Sequence, residues 1–172
     1  MDNISEQLIE IRKTPKDFLL LGLIWFAAFI LVFLFVLLSL NVSSFIGFIF
    51  LLIAGVIYGA YKLSSMLKKE YEYIVVNHDM DIDKITAQSS RKRMVSIKLN
   101  EVLEYGNFTA QRQEALKRKE FDMKFVCCNP DDQAQYFIYK HSKKGLLLIV
   151  LAMNEKTKKE AEKSIPRAIK VN

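Results

Sequence analysis

The chain has 172 residues, 51% of them hydrophobic, and a formal net charge of +6. That length holds one ordinary domain, or less once a membrane part is subtracted. Two histidines and two cysteines, the latter adjacent at Cys127 and Cys128, rule out a disulfide framework and supply neither the CxxC nor the HxxxH spacing of a zinc site.

Residues 1–17 form a cytoplasmic N-terminal segment. Ile4, Leu8 and Ile11 recur at helical spacing among Glu6, Gln7 and Glu10, which predicts a short amphipathic helix. It would lie at the membrane interface or against the later domain; a disordered tail is the alternative. Thr14, Pro15 and Asp17 then read as a helix start, with Thr14 at the N-cap and Asp17 completing a pair like a capping box.

Residues 18–63 read as a transmembrane helical hairpin. Phe18 to Leu40 is a run of 23 residues without a charge, which at 1.5 Å per residue spans a hydrocarbon core of about 30 Å with some tilt. Phe45 to Tyr61 adds 17 more uncharged residues, and Lys62 can snorkel to lengthen that span. Residues 41–44 between them leave room only for a tight outer turn, and the sequon at Asn41 reads as part of it. A cleaved signal peptide is excluded: the first run is too long, no small-residue cleavage site ends it, and a second span follows at once.

Arg12, Lys13 and Lys16 precede the spans, and Lys62, Lys68 and Lys69 follow them. By the positive-inside rule both termini are cytoplasmic, in a multi-pass protein of the cell membrane. Neither span holds an ionisable residue, so the pair is an anchor and not an ion or proton pathway. Gly55 and Gly59 form a GxxxG pair, with Gly47 on the same stripe. These glycines are expected to pack the second span against the first; a homo-oligomer is the sharper alternative.

Residues 64–172 form a cytoplasmic β-rich domain. Strands are expected at 71–76, 81–87 and 93–99, with Val102 and Tyr105 continuing the register before Gly106. One helix follows over 110–120, then strands at 121–127, 134–140 and 146–153. Asn154 caps a last helix over 155–165, stopped by Pro166. The fold class is therefore α+β: a membrane hairpin, then a mainly antiparallel barrel or sandwich of six or seven strands, then a C-terminal helix. An open sheet with the helix on one face is the alternative. Residues 62–172 carry 22 basic and 15 acidic side chains, so the positive surplus is assigned to this domain.

Three features invite a chemical reading. Asp79, Asp81 and Asp83 alternate, but an EF-hand would need Gly where Lys84 stands and Glu where Ser90 stands. On a strand, Met80 and Ile82 face the other way, so the carboxylates form a solvated face. Arg91, Lys92 and Arg93 sit beside a turn. They read as a solvated turn or, with Lys68 and Lys69, as a contact for anionic lipid or a partner, and pairing with the nearby aspartates is open to them. Lys117 to Lys119 and Lys143–Lys144 pose the same choice more weakly. The cysteines would be unpaired thiols in a reducing compartment. The sequence contains no Gly-rich phosphate loop and no Gly-x-Ser-x-Gly elbow. No catalytic residue, cofactor or metal site is expected.

Two spans followed by "YEYIVVN", "VSIKLNEVLEYG" and "GLLLIVLAMNEKTKKEAEKSIP" resemble bacterial membrane proteins carrying a pleckstrin-homology-like (PH-like) domain. "YEYIVVNHDMDIDKI", "RKRMVSIKL" and "SIPRAIKV" are similar to a family of uncharacterised small membrane proteins from Gram-positive bacteria, over nearly the whole chain. The resemblance implies binding of peptides, protein surfaces or lipid headgroups, and it brings no activity with it. The expectation is a non-enzymatic, membrane-anchored accessory or scaffold protein whose basic domain binds another membrane protein. An anionic lipid or phosphate sensor is the alternative. Membrane lipids and a membrane protein are the expected partners, and nucleic acid is not.

Overall fold

The structure, a computed structural model, describes residues 4–41 and 46–171. Residues 42–44 of the expected outer turn, and Phe45, lie outside them. The chain divides into two compact units: residues 1–11, 70–85 and 89–172 form one, and residues 12–69 with 86–88 form the other.

The second unit is an antiparallel pair of helices, α1 (Pro15–Asn41) and α2 (Ile46–Ser65). Both are long and apolar enough to cross a membrane. The start of α1 is the expected capping box. Asp17 Oδ2 accepts from the Thr14 amide and hydroxyl, each at 2.8 Å, and the Asp17 amide returns to the Thr14 hydroxyl at 3.4 Å. The helix contact is made by small and branched side chains: Ala28, Ile49 and Ala60 are buried. Gly47, Gly55 and Gly59 do not make it. A Cβ on any of them meets nothing within 4 Å, so their stripe lies off the α1–α2 contact, against expectation.

The first unit holds the β structure. Ile4–Glu10 is a strand, β1, rather than the amphipathic helix its spacing suggests. Ile4 and Leu8, expected to be buried, are 58% and 56% exposed, while Ser5 is 1% exposed. Alternation at a period of two wins because β1 has a partner: it pairs antiparallel with β2 (Lys69–Val76) along its whole length, from Ile4↔Val76 to Glu10↔Glu70. Over so few residues, apolar spacing does not separate strand from helix. The domain boundary at residue 64 is corrected with it. The β domain is discontinuous, and the helix pair is inserted between two of its hydrogen-bonded strands.

β3 (Asp79–Thr86) and β4 (Ser90–Lys98) complete a sheet of order β1-β2-β3-β4. The second sheet has β5 (Glu104–Asn107), β6 (Met123–Val126), β7 (Gln135–His141), β8 (Gly145–Leu151) and β9 (Lys170–Val171), in the order β6-β8-β7-β5-β9. Six of these strands, β2–β4 and β6–β8, fall where expected; β5, read as a continuation of β4, is a separate strand of the other sheet paired with β7, and β1 and β9 are additional. α3 (Ala110–Lys117) and α4 (Glu155–Ser164) fall where the sequence places helices, capped by Thr109 and Asn154.

One core joins the inner faces of both sheets and α4, through Tyr73, Met80, Ile82, Ile97, Phe137, Ile149, Ala161 and their neighbours. A smaller one lies on the other face of the second sheet, where Leu116 of α3 meets Tyr136, Ile138, Leu148 and Val150. That second core explains why β7 and β8 read as continuous apolar runs: they are buried on both faces.

Candidate functional site

The carboxylates that alternate along β3 lie opposite Met80 and Ile82, both fully buried, as the strand period requires. They are not simply solvated. Asp83 is 2% exposed and accepts from Arg93 Nε at 2.9 Å, and Asp81 lies 2.8 Å from the same guanidinium. Arg91 donates to Glu72 Oε1 at 2.7 Å, and Glu72 is 3% exposed. Two members of the expected anion contact are therefore turned onto the protein's own sheet. Lys92 is exposed. Lys69 lies 3.8 Å from Asp17, and the Lys68 carbonyl accepts from the Ala87 amide. Ala87 and Gln88, at the tip of the β3–β4 hairpin, have φ of 55°, a left-handed conformation costly for residues with a Cβ.

A second polar constellation was not legible in the sequence. Glu104 of β5, Arg112 of α3 and Tyr136 of β7 meet on the outer face of the second sheet. Arg112 donates to Glu104 and, through Nε, to the Tyr136 hydroxyl at 2.7 Å; that hydroxyl donates to Glu104 at 2.6 Å. Lys119 reaches the other Glu104 oxygen at 3.2 Å. The guanidinium also stacks 5.4 Å from the Tyr136 ring centre. An open cleft of about 280 Å³ lies beside it, lined by Asn107, Thr109, Gln111, Ala115 and Val171 as well as Arg112 and Tyr136. These groups are 8–32 residues apart, and only the β5–β7 pairing and the packing of α3 unite them.

The strand missed by the sequence reading is held by side chains from the far end of the chain. The Ser5 and Thr157 hydroxyls share a hydrogen bond of 3.0 Å, both buried. Gln7 donates to the Ala152 carbonyl at 2.9 Å and accepts from the Asn154 amide at 2.8 Å. The Glu10 carbonyl accepts from Asn129 at 3.3 Å. β1 is thus fastened to the corner where β8 passes into α4.

Cys127 and Cys128 are unpaired thiols. Burial pushes Cys127 up to about 12 and Cys128 up to about 11, so neither is a ready nucleophile. Among the described residues no group of three or more His, Cys, Asp and Glu is placed to hold a metal ion.

The division into units also redistributes the charge. The β unit carries 19 basic and 18 acidic side chains, a net of +1, because Asp2, Glu6 and Glu10 belong to it and Lys62, Lys68 and Lys69 do not. The helix pair and its flanks carry 6 basic and 1 acidic, a net of +5. The β domain is therefore close to neutral, and the assignment of the positive surplus to it is corrected: the surplus sits at the ends of the helices.

No curated protein and no solved structure matches the chain. A family model described as a bacterial PH-like domain matches residues 1–171, in keeping with two sheets closed by a C-terminal helix, and the chain belongs to that family, DUF6106.

Proposed function

We propose that this chain is a non-enzymatic, membrane-anchored accessory protein whose PH-like domain docks on another membrane protein at the inner face of the cell membrane. The charge partition carries the reading. A domain of net +1 in which Arg91, Arg93 and Arg112 are engaged by Glu72, Asp81, Asp83 and Glu104 is poorly suited to attract phosphate headgroups and well suited to a mixed protein surface.

The insertion supports it. β1 and β2 precede and follow the helix pair in the chain and are bonded to each other, which favours a pair whose two ends lie on one side of the bilayer. The six basic residues at the helix ends then face anionic lipid, worth about 1 kcal/mol each near the surface. That makes lipid a secondary partner of the anchor. A lipid or phosphate sensor remains the competing reading, with Lys68 and Lys92 as its exposed cations.

Native mass spectrometry of the full-length protein, extracted from its own membranes in mild detergent, tests the proposal. A heteromeric mass with a second membrane protein is expected. A protein recovered alone or only with copies of itself, whose binding to anionic vesicles is lost in Lys92→Ser, would replace this reading with the sensor.

A further inference from the structure

β1 presents its residues the wrong way round for a strand that closes a core. Its inward row is Ser5, Gln7 and Ile9, and its outward row is Ile4, Glu6, Leu8 and Glu10. Ser5 is buried against Thr157, and Gln7 is bonded to Ala152 and Asn154, while Ile4 and Leu8 are left more than half exposed. A slip of one residue along β2 would turn both apolar side chains inward. The hydrogen bonds of Ser5 and Gln7 oppose that slip and hold Ile4 and Leu8 in water, against the usual alternation of an antiparallel sheet with one solvated face.

The outward residues form one patch. Ile4 lies directly across from Val76, itself 36% exposed, and Glu6 lies across from Ile74. Asp79 follows Val76 across the β2–β3 turn and is exposed, on the face that also holds Asp81 and Asp83. The guanidinium groups that reach this face, those of Arg91 and Arg93, are engaged by Glu72, Asp81 and Asp83. Glu6, Glu10 and Asp79 are exposed and form no ion pair among the described residues. α3 covers the outer face of the second sheet and α4 packs into the shared core, so among the described residues no helix of the β unit covers this face. The patch is apolar with a negative border, which an anionic leaflet repels and a basic protein segment complements.

Resting on the accessory reading above, we propose that the outer face of β1 and β2 is the dock, and that its occupant is the basic, amphipathic flank of a span in the partner membrane protein. Membrane proteins concentrate Lys and Arg within about 15–20 residues of the cytoplasmic ends of their spans, so the surface a partner offers beside the inner leaflet has the charge this border complements. Apolar side chains of that flank cover Ile4, Leu8 and Val76, and its cations meet Glu6, Glu10 and Asp79. The inverted strand then has a purpose: the polar inward row fixes β1 in place, and the outward row is kept for the partner.

The test is photo-crosslinking in the protein's own membranes, with p-benzoylphenylalanine in place of Leu8 of the full-length chain and, as a control, in place of Leu103, which is 52% exposed just before β5. Position 8 is expected to give a crosslinked peptide of net positive charge that lies within about 20 residues of a span of another protein; position 103 is expected not to give it. Reversing the border with Glu6→Lys and Glu10→Lys should lower the yield at position 8 by about fivefold or more, the scale of two exposed ion pairs lost. Glu6→Gln with Glu10→Gln, expected to lower it by about twofold or more, serves if the lysines disturb β1. Crosslinks from position 8 to lipid, to a second copy, to a neutral or acidic segment, or to nothing overturn the proposal, as does a yield indifferent to the charge changes. A heteromer in native mass spectrometry alongside such a result leaves the accessory reading standing and removes only this face from it; the absence of any heteromer removes both.

Discussion

Removing residues 11–69 and joining Glu10 to Glu70 through a short turn such as Asn-Gly should give a soluble, folded β domain. A fragment beginning at Glu70 should not fold. The register requires the difference, because Glu10 and Glu70 are the last pair of the β1–β2 ladder and a two-residue turn suits closing such a hairpin. What the fragment lacks can be counted. Ser5–Thr157, Gln7–Ala152 and Asn154–Gln7 are three well-formed side-chain bonds, at about 1 kcal/mol each. Ile9 packs on the core for about 1 kcal/mol more. That is about 4 kcal/mol before the seven-residue ladder itself is considered, against a typical total stability of about 5–15 kcal/mol. The assay is thermal unfolding of both proteins by circular dichroism, with gel filtration to establish that they are monomers. A strand-lacking fragment that melts cooperatively within about 1 kcal/mol of the turn-linked domain would refute the claim that β1 is integral to the fold.

Three further outcomes follow from other contacts. Gly106→Ala places a Cβ 2.5 Å from the Val171 carbonyl and 3.1 Å from the Tyr136 ring. It should release β9 at a cost of about 1–3 kcal/mol, seen as loss of amide protection at Val171 together with a lower midpoint; unchanged protection would count against the tight approach. Arg93→Ala leaves the buried Asp83 without its cation, and since Arg93 is itself about half exposed the loss should be about 1–3 kcal/mol in urea unfolding. A loss of vesicle binding with no change in stability would instead make Arg93 a surface contact. Native protein should leave both thiols unreacted with a thiol reagent at about pH 8 on a timescale of minutes, because burial pushes Cys127 up to about 12 and Cys128 up to about 11, and both should react in denaturant. Rapid native labelling at Cys127 would show that the core around it opens.

Local and near-local patterns determined much of this protein. Two long uncharged runs between basic flanks specify the helix pair, since no other structure satisfies that much apolar surface and its backbone. Alternating apolar residues and turn chemistry located β2–β4 and β6–β8, and caps at Thr14 and Asn154 located two of the helix starts. Even the Arg93–Asp81–Asp83 cluster was within sight, because a two-strand hairpin brings residues about ten apart together. What the tertiary structure alone decided has a common physical cause: contacts between residues far apart in the chain. β1 looked helical because Ile4 and Leu8 are four apart, and it became a strand because β2, on the other side of the whole helix-pair insertion, offered it an edge. That pairing brought three acidic residues into the β unit, left three lysines with the helices, and made the unit nearly neutral. Glu104, Arg112 and Tyr136, like Ser5 and Thr157, carry no local signal at all, since each became part of a network only when separate elements packed. The glycine stripe shows the converse, in that a spacing able to pack helices says nothing about which neighbour it packs against.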